Sequence, residues 1–261
     1  MIAPDGVAAV RQERLQMLRF CEDLDAHEWQ AASRAEGWRV QDVVAHIGSG
    51  CHAMFTPAVL KLLRSGDIEN TNDTFVDQRA EWAPERVLSE YSRWSGRVVA
   101  AAAAVCRTPL AQLPMSLAEL GRFPLGLLLG GAMTFDHHIH LRHDLAPATG
   151  RPVPGTDANR LAVVLQWMFA VLSNQLRRSS PQWLTDPIGI SLHGPGGGTW
   201  LVRPDGSVVT ATPGGALTWI DAQALEFPEW ATKRAGWRDR DVTIIGDPGY
   251  GELFLDAVNV V

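Results

Sequence analysis

Phe135-Asp136-His137-His138-Ile139-His140-Leu141-Arg142-His143-Asp144 holds four of the chain's eight histidines between two aspartates, directly after the apolar run from Pro124 to Thr134. Read as a helix, this stretch stacks residues four apart, so Asp136 and His140 project together and His143 lies one turn further on. The same face runs back through Met133, Ala132 and Leu129, continuing an apolar stripe that should face a core. Ionisable groups on such a stripe need partners. A carboxylate and an imidazole at that spacing can grip one metal ion, which would supply one.

Working outward, the second residue set of the same kind is His46, on the flank of an apolar stripe formed by Val40, Val43, Val44, Ile47, Cys51 and Met54. Two imidazoles and one carboxylate leave coordination positions open, the arrangement of catalytic rather than structural sites. His46 alone reads as a hydrogen-bonded core histidine, as do His27, His52 and His193. The Asp136/His140 pair turns the reading towards a metal, with zinc as the default ion. His137 and His138 point to other faces, as surface residues or as partners orienting a ligand. Asp144 is expected to cap the helix end or hold an arginine.

The chain around these residues reads as helical up to about residue 150. Val7, Val10, Met17, Leu18, Cys21 and Leu24 recur at helical spacing; a third helix starts at Pro84, carries apolar positions through Val105 and should end around Arg107-Thr108-Pro109; the fourth spans Pro124 to His143. An up-and-down four-helix bundle over residues 1–150 is the economical arrangement. Pro147 to Thr156 reads as a linker, with a further helix starting near Asp157. Beyond Pro181 the period switches to two, with strands at Ile188–Leu192, Trp200–Val202 and Val208–Thr210, an antiparallel meander turned by Gly194–Gly198 and Pro204-Asp205-Gly206. A helical stretch from about Asp221 to Arg234, a strand Val242–Ile245 and a final helix through Leu255 complete a small α+β unit over residues 151–261. The fold class is thus α+β, a helical bundle followed by a small domain with a mostly antiparallel sheet.

Composition bounds the function. At 261 residues the chain can bury one large core or two ordinary ones, and its net charge of -6, with no basic cluster, gives no reason to expect nucleic acid or an acidic membrane surface as a partner. Cys21, Cys51 and Cys106 are too few and scattered for a disulfide framework or a thiolate zinc site and read as core residues. No stretch has the length or leader pattern of a membrane span or signal, so the expected location is the cytoplasm.

With these residues in place, Gly37-Trp38-Arg39-Val40-Gln41-Asp42-Val43-Val44-Ala45-His46-Ile47 resembles the signature of the mycothiol-dependent maleylpyruvate isomerase family, whose amino-terminal part is a DinB-like four-helix bundle. In that family the signature histidine is a metal ligand. Asp136, His140 and Asp144 match the outline of its second signature, with aspartate at 136 in place of the more usual glutamate and one residue more between His140 and Asp144. That extra residue makes His138 and His143 alternatives to His140. Arg39 stands where the family often has a capping serine or threonine, a loss of ~1 kcal/mol unless Asp42 compensates. Gly246-Asp247, Arg234, Trp237 and the meander from Ile188 resemble the sterol-carrier-like domain often fused to this bundle.

The resemblance implies a divalent metal that binds mycothiol, a low-molecular-weight thiol, and favours its reactive thiolate. Thiolate addition to a small electron-poor unsaturated substrate, rotation and elimination would give cis-trans isomerisation; retention would give thiol transfer. Arg79, Arg142 and Arg234 are candidate clamps for carboxylate or sugar-thiol oxygens, although each reads first as a structural ion pair. The rival class is a small-molecule-binding or scaffold protein with a structural or vestigial metal site.

Overall fold

In a computed structural model describing residues 4–212 and 214–260, the chain divides into two compact units, one ending at Gly155 and the other starting at Thr156. The first is helical. Helix α1 (Gly6–Glu22) begins where the Asp5 side chain accepts from the backbone N–H groups of Val7 and Ala8. After α2 (Ala26–Gln30) comes α3 (Val40–Ala53), whose cap position is Arg39. Arginine offers no acceptor there. Asp42 reaches back instead to the Arg39 N–H at 2.9 Å, and the Arg39 guanidinium closes onto the same carboxylate, so the missing cap is replaced.

The short helices α4 (Val59–Arg64) and α5 (Ile68–Asp77) lead into α6 (Pro84–Val105), which begins with proline in its first turn. A small hairpin of β1 (Pro114–Leu117) and β2 (Gly121–Pro124) precedes the last bundle helix. The core is built where Met17 and Cys21 of α1, Val43, Val44, Ile47 and Cys51 of α3, Val87, Tyr91 and Val98 of α6, and Leu141 and Leu145 of the last helix meet. Cys106, expected in a core, is exposed, because it lies just past the end of α6.

That last helix, residues 125–149, is not uniformly wound. Two π segments, Leu128–Ala132 and His140–Leu145, interrupt the α-helical turns, and Met133–Ile139 between them carries Asp136. The first π segment lies against the start of α1, where a Cβ on Gly130 would come 3.2 Å from the Gly6 Cα. A side chain at either position would crowd the facing backbone, and the two glycines let the chains approach closely. The helix runs past the predicted linker start at Pro147 and ends at Gly150, in the left-handed conformation with φ +66°. Pro147 lies in the short α-helical piece Ala146–Thr149 that follows the π segment and closes this helix.

The stretch after Gly150 is held to the bundle. Arg151 forks onto Glu28 (2.6 and 2.8 Å), and the Gly155 carbonyl accepts from Gln16 Nε2 (2.8 Å) and Arg142 Nη2 (3.0 Å).

In the second unit a long helix, Ala158–Ser179, is capped by Asp157. Five strands run in the order β5-β4-β3-β6-β7: β3 (Ile188–His193), β4 (Gly198–Val202), β5 (Val208–Thr210), β6 (Thr218–Gln223) and β7 (Val242–Ile245). All neighbours are antiparallel except β3 and β6, which are parallel with Ile190 opposite Ile220. The helix expected from Asp221 to Arg234 is therefore a correction: its first residues form the end of β6, and the helix is only Phe227–Ala231. Ile188, Ile190, Leu192, Ile220 and Ala222 alternate into a buried face, and Phe169 of the long helix stacks on Trp200 and packs at a tilt against Phe227. The closing helix, Pro248–Ala257, is capped by Asp247. No helix among the described residues is long and apolar enough to cross a membrane.

Candidate metal centre

The packing of α3 against the last helix brings His46 to Asp136 and His140. His46 Nε2 lies 3.3 Å and His140 Nε2 3.5 Å from the same oxygen, Oδ1 of Asp136, and one ligand atom from each residue falls within 4.8 Å of the others. The two imidazole side chains are nearly covered, at 12% and 10% exposure, whereas the Asp136 side chain keeps 28%. The cluster is thus walled by the fold and reached from the carboxylate side. Two neutral nitrogens and one anionic oxygen at this separation fit a divalent metal with positions left over.

Electrostatics agree with a site built for positive charge. Burial alone would raise the Asp136 pKa, but the His46 charge and hydrogen bonds from His140 and His46 hold it well below the usual carboxylate range. Burial also opposes a charged His140, yet Asp136 and Asp144 overcome it and push its pKa up to about 9. Without a metal, a proton on His140 compensates the carboxylate.

Asp144, which the sequence assigned to a cap or an arginine, places Oδ2 2.7 Å from His140 Nδ1 with none of its side chain exposed. Trp38, just ahead of α3, entered the sequence reading only as part of the Gly37–Ile47 signature, with no role of its own. Its indole packs 5.1 Å from the His46 ring and 6.4 Å from the His140 ring, with Nε1 donating to Asp73. No periodic signal marks such a residue, because it lies outside the helix that carries His46.

The remaining candidates lie elsewhere. His137 donates from Nδ1 to the Met133 carbonyl at 2.7 Å, and burial pushes its pKa down. His138 is fully buried with Nδ1 3.4 Å from Glu13, and His143 packs 6.4 Å from its ring. Neither is in the His46 cluster. His137 and His138 are core residues and not surface ones.

Arg79 grips Glu90 through two nitrogens and donates a third to Phe75. Arg142 reaches Glu13 at 2.7 Å and Gln16 at 2.6 Å. Both guanidiniums are engaged inside the fold. Arg234 is half-buried in the second unit, its backbone N–H donating to the Glu229 carbonyl. His52 pairs with Glu90 and stacks on Trp94, and His193 pairs with Asp221.

Comparison with known proteins adds to this geometry. The family described as mycothiol maleylpyruvate isomerase N-terminal domain matches residues 10–146. Two crystal structures of the mycothiol-dependent maleylpyruvate isomerase, one of a histidine-to-alanine mutant, are similar in fold, with TM-scores of 0.56. They are 14% (mutant) and 15% identical to this chain over 92% of it and 91% of theirs. No curated protein matches the sequence.

Proposed function

The chain belongs to the mycothiol maleylpyruvate isomerase N-terminal domain family, and from that premise we propose that it is a metal- and mycothiol-dependent enzyme. Its reaction class is cis-trans isomerisation or thiol transfer on a small, electron-poor unsaturated substrate. The observation that carries this reading is the convergence of His46, Asp136 and His140 within 4.8 Å, from two helices, beside an indole wall.

In this reading His46 Nε2, Asp136 and His140 Nε2 hold the metal, and zinc is the default ion. When bound, it supplies positive charge that favours the thiolate form of the thiol. Among the three proposed ligands only Asp136 is anionic, since the two imidazoles are neutral as ligands, so a divalent ion and its ligands together would keep a positive charge. Trp38 shields the flank of both imidazoles from water, and the exposed edge of Asp136 marks the side from which thiol and substrate enter. An apolar, sheltered flank strengthens electrostatic interactions with a developing charge.

The test is turnover of maleylpyruvate by the purified protein, with and without mycothiol, alongside its metal content. Turnover that needs both metal and thiol is the expected result. Turnover without thiol overturns the thiol role, and a metal-loaded protein that turns over no unsaturated electrophile is a binding protein instead.

A further inference from the structure

His140 is bracketed by carboxylates on both ring nitrogens: Asp136 Oδ1 lies 3.5 Å from Nε2, and Asp144 Oδ2 lies 2.7 Å from Nδ1. A carboxylate is an acceptor only, so the contact with Asp144 calls for a proton on Nδ1. The Nε2 lone pair is then the one directed at His46 and Asp136. We propose that Asp144 is a positioning residue of the metal centre, fixing the tautomer and ring orientation of His140 and raising its strength as a ligand. This inference rests on the metal reading given above.

The winding of the helix explains how three residues share one column. In an α-helix four residues overshoot a full turn by about 40°, so a series at four-residue steps drifts off its face. Asp136 to His140 lies mostly in α-helical turns, whereas His140–Leu145 is π-wound, with more residues per turn. The wider turn cancels the drift that the first step introduced and returns Asp144 beneath the His140 ring. Both side chains are shielded, with 10% of His140 and none of Asp144 exposed, so water does not compete for Nδ1. His46 has no hydrogen-bond partner on Nδ1 among the described residues; its ring is set by packing against Trp38. The two histidines are therefore oriented by different means, and only His140 depends on a charge.

The test compares wild type, Asp144→Asn and Asp144→Ala, each shown to be folded by its thermal transition. Zn²⁺ affinity is measured by chelator competition, and the visible spectrum of the Co²⁺-substituted protein reports ligand geometry. Asp144→Ala should bind Zn²⁺ about ten- to a hundredfold more weakly and shift the Co²⁺ spectrum. Asp144→Asn keeps an acceptor without the charge and should fall between. Wild-type affinity and an unchanged spectrum in both variants overturn the positioning role alone. A wild-type chain that takes up no stoichiometric Zn²⁺ overturns the metal reading, and this inference with it.

Discussion

His46 Nε2 lies 3.3 Å from Asp136 Oδ1 across 90 residues of sequence, and this contact joins α3 to the last bundle helix at the candidate centre. Binding a metal there should clamp the two helices together. Zn²⁺ at about a hundred times its Kd stabilises a protein that binds only when folded by about 2.7 kcal/mol. A rise in Tm of several degrees is expected for the wild type. His46→Ala and Asp136→Asn should lose that rise, and an equal rise in either variant would place the metal elsewhere.

Glu13 supplies an acid-sensitive contact. Its buried carboxylate is 2.7 Å from Arg142 and 3.4 Å from His138. Burial alone would raise its pKa, but the His138 hydrogen bond and the Arg142 charge bring it from 4.5 down to about 2. The folded value is the lower one, so the stabilisation is complete above about pH 4.5 and disappears as pH falls towards about 2. Urea denaturation across that window should show the loss. Glu13→Gln should be less stable at neutral pH by about 3 kcal/mol, because it leaves Arg142 buried without its counter-charge. The variant should also respond less to acid, and a pH profile parallel to the wild type would contradict the assignment.

Arg79 is expected to matter for folding and not for binding. Its side chain and that of Glu90 are 9% and 8% exposed. Removing one member of such a pair costs about 3–5 kcal/mol. Arg79→Ala should therefore lower stability in denaturation while leaving Zn²⁺ affinity unchanged. A raised KM at unchanged stability would restore the clamp role.

Gly246 closes the turn after β7 with φ +100°, and a Cβ there would sit 2.1 Å from the Leu217 carbonyl oxygen. Gly246→Ala meets both a disfavoured backbone region and a backbone clash, so a loss of about 1–3 kcal/mol is the minimum expected. Tryptophan fluorescence during urea unfolding would report it. Wild-type stability would mean that the turn relaxes freely.

The legible parts of the sequence were those in which local pattern and tertiary context agree. Helix α6 was read from Pro84, where it does begin, to about Arg107–Pro109, a little beyond its end at Val105, because its start is marked by proline and its apolar residues keep one period. His46, Asp136 and His140 stood out since each borders or continues an apolar stripe where an ionisable group needs a reason. The misreading of Asp221 to Arg234 came from Ala222, Ala224 and Leu225, good helix formers in a segment whose first residues pair on both sides in the sheet. That pairing, with β3 some thirty residues upstream, outweighs local preference. The link from Asp144 to His140 was hidden for another reason. A π turn leaves no trace in hydrophobic periodicity, so the sequence placed Asp144 at a helix end, while the helix in fact continues to Thr149.

The anchoring of residues 150–155 bears on how this protein can be dissected. The Gly155 carbonyl accepts two hydrogen bonds from the bundle and Arg151 donates to Glu28, so these residues belong to the bundle although they lack helical structure. A cut after Gly150 would strip Glu28 of its arginine and take the Gly155 carbonyl from Arg142, two positions from His140. An excised first half should end beyond Gly155, and limited proteolysis of the intact chain should spare this stretch despite its prolines and glycines.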